Sequence, residues 1–193
     1  MSKNLVIVHS QNLLPYFQRL NRYFPAILYY AVGGEFFIKV PASQLTKLLH
    51  FLKRNSLSRY DQLIDLSAVD YPERKFRFEV FYNLLSITYN QRLTVTVSVS
   101  EAMPLDSVSA IYFPAGWLER ETWDMFGIFF RNHPDLRRIL TDYGFKGHPL
   151  RKDFPLTGYV EVRYDDYLKR ILYEEVSLAQ EFRVFTLENP WQN

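Results

Sequence analysis

Strict alternation of apolar and polar side chains marks the stretch Arg92-Leu-Thr-Val-Thr-Val-Ser-Val-Ser100. The stretch Lys75-Phe-Arg-Phe-Glu-Val-Phe-Tyr82 also places an apolar side chain at every second position. Alternation with a period of two is typical of a strand that buries one face and exposes the other, as in an antiparallel sheet. We therefore predict strands at residues 75–86 and 92–100 in a mostly antiparallel sheet.

Working outward from these strands, the rest of the first hundred residues predicts further strands and flanking helices. Leucines at helical spacing follow Pro41, and similarly spaced apolar residues follow Ser10, so a helix is expected after each. Gly33-Gly34 is a two-glycine signal for a hairpin turn. Two predicted helices begin near residues 11 and 43, and two more cover 105–112 and 117–126. The other predicted strands cover 26–32, 35–40 and 62–69.

The character of the chain changes at Pro114. Five of the seven glycines and five of the ten prolines lie from this residue onward, so long regular elements are not expected beyond about residue 130. Aromatic residues nevertheless recur through this region, and water would tolerate them poorly if they stayed exposed. We predict a compact α+β domain at 1–113 and, at 114–193, an extended irregular C-terminal arm that buries its aromatics on another subunit.

Composition excludes several classes of protein. The 193 residues suit about one domain, and 48% hydrophobic with 23% charged residues is ordinary globular usage. The absence of cysteine excludes disulfides, thiolate nucleophiles and Cys-ligated zinc or iron–sulfur sites borne by this chain alone. A net charge of +2 disfavours nucleic-acid binding. No secretory or transit signal and no spanning apolar run is evident, so any membrane attachment is expected through partners.

Few residues suggest a reactive site. His133 and His148 lie near Asp135 in the sequence, a set that could bind a metal, but no histidine pair has the spacing that places two imidazoles on one helical face. We prefer a hydrogen-bonding structural role for both histidines. The alternative reading is a metal-dependent hydrolase that uses these three residues.

Charged residues of the second half are expected to form ion pairs rather than to react. Glu119, Arg120, Glu121 and Asp124 fall on one predicted helix and suit a packed polar network. The pair Arg137-Arg138 is too small for a nucleic-acid patch and is expected to bind an Asp or Glu carboxylate.

The segment at 119–165 resembles the signature of one family, the thirty-kilodalton (C) subunit of respiratory complex I. The resemblance is carried by Glu119-Arg-Glu-Thr-Trp-Asp-Met-Phe-Gly127, by His133-Pro-Asp-Leu-Arg-Arg-Ile-Leu-Thr-Asp142 and by the run through Gly147-His-Pro-Leu-Arg-Lys-Asp-Phe-Pro-Leu156 to Gly158-Tyr-Val-Glu-Val-Arg-Tyr-Asp165. A departure is Glu175, where many relatives have proline.

The resemblance implies a non-catalytic core subunit of the proton-pumping NADH:ubiquinone oxidoreductase. It implies that NADH, FMN, the iron–sulfur clusters and ubiquinone are carried by other subunits, and that this chain holds no cofactor. The expected partner is chiefly the forty-nine-kilodalton subunit of the quinone module, with its neighbours. Residues with AT-rich codons outnumber those with GC-rich codons, which favours a mitochondrially encoded member. For such a member the resemblance implies the matrix side of the mitochondrial inner membrane, and the alternative is the cytoplasmic face of a bacterial plasma membrane.

The resemblance also marks the charged and histidine side chains of the signature as structural or interface residues. They are Glu119, Arg120, Glu121, Asp124, His133, Asp135, Arg137, Arg138, Asp142, His148, Arg151, Lys152, Asp153 and Arg163.

Overall fold

A computed structural model describes residues 14–25, 27–32, 35–189 and 191 of the chain. The chain divides into two compact units, one ending at Phe154 and one beginning at Pro155. The sequence predicted a division after residue 113 instead. Residues 114–154 belong to the first unit because the helix that follows Pro114 packs against a strand of the main sheet.

Three α-helices occur among the described residues of the first unit. They are α1 (Leu14–Tyr23), α2 (Leu45–Arg54), which a short 3₁₀ helix at Ala42–Gln44 precedes, and α3 (Ala115–Phe126). The predictions of helices after Pro41 and at 117–126 are confirmed. The proposed start of the first helix near Ser10, like the Gly33-Gly34 turn, lies outside the described residues.

A five-stranded mixed sheet forms the centre of the first unit, with the order β1-β2-β5-β4-β3. Its strands are β1 (Leu28–Val32), β2 (Glu35–Lys39), β3 (Gln62–Asp70), β4 (Phe78–Ser86) and β5 (Gln91–Val99). Three of the four pairings are antiparallel, as expected, and β2 pairs with β5 in parallel. The fold is therefore α+β, with a sheet that is mostly antiparallel.

The core lies on one face of this sheet and is filled by the alternating side chains that the sequence pattern predicts. Phe78, Val80 and Tyr82 of β4 are buried, and so are the four apolar residues of β5 from Leu93 to Val99. The leucines of α2 (Leu45, Leu48, Leu49 and Leu52) are buried in the same core. Fully burying a leucine side chain contributes roughly 1.5–3 kcal/mol, so α2 is held mainly by this face.

The helix predicted at 105–112 is wrong. Leu105–Asp106 forms a short strand, β6, that pairs in parallel with β7 (Phe130–Arg131). The backbone amide of Leu105 donates to the carbonyl of Phe129. The amide of Val108 donates to the Glu119 carboxylate rather than to a preceding carbonyl, and these tertiary partners outweigh the local helix propensity.

The second unit contains a two-stranded antiparallel hairpin, so the predicted arm is not irregular throughout. Its strands are β8 (Val160–Asp165) and β9 (Arg170–Glu175). The register pairs Val162 with Tyr173 and Tyr164 with Ile171. Asp165 closes the turn by accepting the amides of Tyr167 and Leu168. None of the described helices in either unit has the length and apolar character needed to cross a membrane.

Candidate functional site

Helix α3 carries the first part of the signature and ends at Gly127. This glycine has a φ of 78°, in the left-handed region that glycine enters without strain. A Cβ at this position would stand 2.5 Å from Nη2 of Arg151 and 2.6 Å from Nε2 of His148. Both the backbone conformation and the close approach of these two side chains therefore require glycine.

Asp124 lies on α3 and its side chain is fully buried. Its Oδ2 accepts three backbone N–H groups, from Ile139 at 3.1 Å, Leu140 at 2.8 Å and Thr141 at 3.0 Å. Its Oδ1 accepts the Thr141 hydroxyl at 2.7 Å and Nη1 of Arg138 at 3.3 Å. One carboxylate thus fixes the loop at 138–141 against the helix.

The charge of Asp124 is favoured by these donors. Burial alone raises the pKa of the Asp124 carboxyl, but the Thr141 hydroxyl and the three amides outweigh it, so the pKa lies below its usual value. A carboxylate with this many donors is already saturated. It has little capacity to take up a substrate proton or to bind a cation.

Glu119 is the second buried carboxylate of α3. Its Oε2 accepts the Ser107 hydroxyl at 2.6 Å, and its Oε1 accepts the amide of Val108 at 2.7 Å. The Ser107 oxygen also lies 2.8 Å from that of Ser109. These bonds tie the segment that follows β6 to the helix, which explains why this segment is not itself helical.

Burial raises the pKa of Glu119 to about 7, and the donors Ser107 and Val108 oppose this shift only in part. Near neutral pH this carboxyl is therefore divided between its neutral and charged forms. The opposite directions of the pKa shifts of Glu119 and Asp124 follow from the number of donors that each receives.

His133 lies beside Glu119, with 3.8 Å between Nε2 and the nearer carboxylate oxygen. Its Nδ1 accepts the amide of Asp135 at 3.0 Å, so that nitrogen carries no proton. The proton is on Nε2, which donates to the Gly116 carbonyl at 3.1 Å. His133 thus joins the loop after β7 to the first turn of α3 through both ring nitrogens.

The third buried carboxylate, Asp70, ends β3. Nε and Nη2 of Arg77 donate to its two oxygens at 2.7 Å and 2.8 Å, a bidentate pair. The Lys152 amide donates to the same carboxylate at 2.8 Å, and Nη2 of Arg77 also lies 3.0 Å from Asp153. The hydrogen bonds from Arg77, followed by that from Lys152, lower the pKa of Asp70 despite its burial.

Arg151 joins this cluster to the end of α3. Its Nε donates to the carbonyl of Phe126 at 2.6 Å, and its guanidinium forms an ion pair with Glu101. The guanidinium groups of Arg151 and Arg77 each lie 5.3 Å from the centre of the Phe78 ring. A cation near the last carbonyls of a helix also interacts favourably with the helix dipole.

His148 makes a further link to α3. Its Nδ1 donates to the carbonyl of Asp124 at 3.0 Å, and its ring lies 5.9 Å from that of Trp123. Burial lowers the pKa of His148, and the neighbouring Arg151 and Arg138 act in the same direction. The neutral imidazole is therefore favoured.

The other predicted site residues of the first unit lie nearer the surface or make local contacts. Arg120 donates to the Gly116 carbonyl and lies over the Trp117 ring, with no carboxylate partner among the described residues. Glu121 is exposed. Arg137 forms an exposed pair with Asp135 at 3.1 Å.

Two predicted residues make contacts close to their own positions. The carboxylate of Asp142 accepts the amide of the next residue at 2.8 Å. In the second unit, Arg163 of β8 forms a bidentate pair with Glu174 of β9, and Nη1 lies 3.5 Å from Asp165. Arg163 therefore stays within its own hairpin.

Sequence reasoning missed several partners of the signature residues. Asp70, Arg77, Glu101, Ser107 and Thr141 all belong to the network, but none of them was predicted as a site residue. The contact of Asp70 with Lys152 joins residues 82 positions apart. The available signal is that Asp70 and Arg77, of opposite charge, lie at the two ends of the segment that joins β3 to β4.

The arrangement holds loops in place. Each of the three buried carboxylates is satisfied by backbone amides, hydroxyls or a guanidinium. In the described part of the chain, no group of three or more His, Asp or Glu side chains is placed to hold a metal ion. His133, Asp135 and His148 do not form a ligand set, so the geometry gives no support to a metal-dependent hydrolase.

Comparison with known families gives a match to the model described as "Respiratory-chain NADH dehydrogenase, 30 Kd subunit", over residues 38–160. These residues run from β2 through the three carboxylates to the start of β8. The match covers well over half of the chain.

Curated relatives are more than half identical to this chain over the aligned residues. "NADH-ubiquinone oxidoreductase subunit 9" of Reclinomonas americana is 55% identical, over 82% of this chain and 78% of the relative. An NADH-quinone oxidoreductase subunit of Rhodospirillum rubrum is 57% identical, over 77% and 70%. "NADH dehydrogenase [ubiquinone] iron-sulfur protein 3" of Solanum tuberosum is 60% identical, over 77% and 78%.

A solved structure shares the fold at lower identity. A chain of the membrane-bound sulfane sulfur reductase, an archaeal respiratory membrane complex, superposes with a TM-score of 0.63 at 22% identity. The superposition covers 74% of this chain and 85% of that one. At this identity the likeness concerns the fold alone.

Proposed function

The chain belongs to the family of the 30 kDa subunit of respiratory-chain NADH dehydrogenase, and we propose that it serves that enzyme as a scaffold without catalytic residues or cofactors of its own. As a member of this family it is a subunit of NADH-quinone oxidoreductase, in the quinone module of complex I, and its partners are other subunits of that complex. Its scaffold role is to hold the quinone-module subunits in register for electron transfer.

The observation that carries the proposal is the exposed apolar face of the β8–β9 hairpin. Strand pairing places Val162 beside Tyr173 and Tyr164 beside Ile171 on one face. Each of these four side chains is more than half exposed, as is Val160 on the same face. Charged residues from Glu161 to Glu174 alternate with them and occupy the other face.

An exposed apolar face of this kind is expected to be covered by a partner. An isolated two-stranded hairpin is marginally stable in water, and a contiguous apolar surface on a soluble chain usually marks an interaction site. Further along the same unit, Phe182, Phe185 and Trp191 are also exposed. We propose that the forty-nine-kilodalton subunit, with its neighbours, covers this face.

The buried carboxylates support the non-catalytic part of the proposal. A general base needs an accessible lone pair near a substrate. Asp70 and Asp124 instead direct their oxygens at protein donors, and Glu119 binds Ser107 and Val108 inside the first unit. The network is better suited to keeping the signature loops rigid beneath a subunit interface.

The name of the Solanum tuberosum relative includes "iron-sulfur protein", which raises the question whether this chain has side chains that could bind an iron–sulfur cluster. Iron–sulfur clusters are held by cysteine thiolates. The 193-residue sequence contains no cysteine. His133 uses both ring nitrogens, and His148 uses Nδ1, in hydrogen bonds to the protein. The residues present do not fit a cluster, and we assign clusters, FMN, NADH and ubiquinone to other subunits.

Location follows from the assembly. The complex is associated with a respiratory membrane, and we propose that this subunit lies on the matrix side of the mitochondrial inner membrane, attached through its partners. The excess of residues with AT-rich codons supports this assignment.

Membership of the assembly is tested by separating a membrane extract on a native gel and staining for NADH oxidation. The subunit is expected in the very large stained band. Migration near 23 kDa, away from that band, would end the proposal.

The scaffold role is tested by a charge reversal at Arg137. Charge reversal at either Arg137 or Arg138 is expected to impair assembly. Because Arg138 also binds the buried Asp124, its reversal would disturb the fold as well, whereas Arg137 forms an exposed pair with Asp135. Arg137→Glu should reduce the amount of assembled enzyme without changing the quinone KM of what remains. The matched control is Arg131→Glu, at another exposed arginine with an acidic partner. A fully assembled Arg137→Glu enzyme with altered quinone kinetics would contradict the proposal.

A further inference from the structure

Charge is distributed unevenly along this nearly neutral chain. Residues 1–60 hold 8 of the 23 Lys and Arg residues but only Glu35 among the 21 Asp and Glu residues. The remaining residues therefore hold 15 basic and 20 acidic residues, a net charge of −5 against +7 for the first 60. The small overall charge hides a strongly basic segment that the signature does not include.

Ion pairing shows the same division. Every ion pair within the described part of the chain involves residues from Lys39 onward, and helices α1 and α2 contain no Asp or Glu. Lys47 and Arg54 of α2 are exposed and have no acidic partner among the described residues. Elsewhere, Arg77, Arg138 and Arg151 each have a carboxylate of this chain. The positive charge of α2 is thus not neutralised locally.

These charges border an apolar groove of 690 Å³, called here the α2 groove. Lys47, His50, Phe51 and Arg54 have the spacing i, i+3, i+4 and i+7, which places them on one face of α2. The residues lining the groove are Phe24, Thr46, Lys47, His50, Phe51, Arg54, Asn55 and Ile111.

The floor of the groove is aromatic. The ring of Phe51 lies 5.6 Å from that of Phe24, edge to face, and 5.7 Å from that of Tyr23. Lys53, on the same helix, takes no part because its ammonium group donates to the Ile111 carbonyl and lies over the Tyr112 ring. The lining thus combines apolar rings with Lys47, His50 and Arg54, and contains no acidic side chain.

We propose that the α2 groove docks an acidic amphipathic segment of a neighbouring subunit. Apolar side chains of that segment would pack against Phe24, Phe51 and Ile111, and its carboxylates would pair with Lys47 and Arg54. The inference rests on the proposed function to the extent that the partner is a subunit of the same assembly. It adds a second docking surface to the β8–β9 hairpin, on residues to which the signature assigns no role.

Charge complementarity selects a protein segment as the occupant. Residues 1–13 of this chain contain no Asp or Glu and cannot supply the missing carboxylates. Recognition of an anionic membrane or a nucleic acid usually uses a larger basic cluster, of about 4–8 Lys and Arg residues for a membrane. Lys47, His50 and Arg54 around an aromatic floor are instead typical of a groove that binds an amphipathic peptide.

The test uses a zero-length carbodiimide cross-linker on the intact complex, because this reagent joins an amine only to a carboxylate in contact with it. The expected product is an amide between Lys47 and an Asp or Glu of another subunit, identified by mass spectrometry. Lys47→Arg should abolish the product while the complex still assembles, because arginine keeps the charge but does not form the amide.

A charge reversal measures the contribution of the groove. In the Lys47→Glu, Arg54→Glu variant, recovery of the cross-linked neighbour with the complex should fall at least tenfold. The matched control is Lys75→Glu, an exposed lysine between β3 and β4, and it should leave recovery unchanged.

Three results would overturn the inference while leaving the proposed function intact. One is an assembled complex in which Lys47 forms no cross-link and is acetylated as fast as Lys75. The others are protection of Lys47 that disappears on delipidation or on nuclease treatment, which would identify an anionic lipid or a nucleic acid. Absence of the chain from the complex would instead contradict the proposed function itself.

Discussion

The buried carboxylates Asp70, Glu119 and Asp124, with their donors, form what we call the three-carboxylate network. This network and the β8–β9 hairpin use similar residues in opposite ways. In the network, the Asp70 and Asp124 side chains are fully buried, and the Arg77 and Arg151 guanidinium groups each lie 5.3 Å from the centre of the Phe78 ring. In the hairpin, the Arg163–Glu174 pair is exposed, and so are its apolar side chains. Paired charges and aromatics therefore do not by themselves indicate an interface. Where they are buried within the chain they stabilise its own fold, and where they are exposed they are available to a partner.

The two regions should also differ in energy. Removing one partner of a buried and saturated carboxylate leaves several donors unsatisfied, whereas exposed ion pairs are weak because water screens them. Changes in the network should thus act on the folding of the chain. Changes in the hairpin should act on its assembly.

The largest effect is expected for Asp124→Ala. Three amides, the Thr141 hydroxyl and Arg138 would lose their acceptor, so the free energy of unfolding should fall by about 3–5 kcal/mol. Denaturant unfolding of the purified chain measures this. The control Asp135→Ala removes an exposed pair and should cost less than about 1 kcal/mol. Equal losses in the two variants would erase the proposed distinction between the regions.

The next effect is on pH dependence and concerns Glu119. Its pKa is raised to about 7, so between pH 4.5 and 7 the folded chain binds more protons than the unfolded chain, and stability falls as the pH rises. Glu119→Gln keeps the shape but cannot ionise. Relative to this variant, the free energy of unfolding of the native chain should fall by on the order of 3 kcal/mol as the pH rises across that window. Parallel stability profiles for the two chains would contradict the raised pKa.

Val162→Asp tests the hairpin. The residue is more than half exposed in this chain, so the free energy of unfolding should change by less than about 1 kcal/mol. Assembly into the complex should fall at least tenfold, or about 1.4 kcal/mol, because a charge would enter the proposed contact. The control is Ile87→Asp, at an exposed apolar residue between β4 and β5. An unchanged yield of complex for Val162→Asp would remove the hairpin from the interface.

The smallest effect is expected for the exposed pair in the hairpin. Single and double alanine variants of Arg163 and Glu174 should unfold like the native chain within experimental error, since both groups lie in water. Thermal melting followed by a double-mutant cycle would check this. A clear coupling between the two residues would show that the exposed hairpin shares the energetics of the buried network.

Periodic patterns predicted much of the fold. The alternation at 75–86 and 92–100 indicated β4 and β5, and the helical spacing at 117–126 indicated α3. The helix predicted at 105–112 was wrong, because Phe129 and Glu119 bind the backbone of this segment from outside it. Local patterns carry no record of such tertiary partners.

The site was predictable in kind but not in detail. A carboxylate partner was expected for Arg138, and the structure supplies Asp124. The three amides that Asp124 also accepts could not be predicted, since they depend on the path of a loop about 15 residues away. The apolar face of the hairpin was expected only as an excess of aromatics. The register of β8 and β9 shows which residues share it.

The central claim is that this subunit positions others and does not itself react. The most direct measurement is the quinone-reduction kinetics of the complex that still assembles with Val162→Asp, normalised to the amount of complex on a native gel. A positioning role predicts less complex, with the turnover per complex and the quinone KM of the native enzyme. A normal amount of complex with a changed KM or turnover would contradict it.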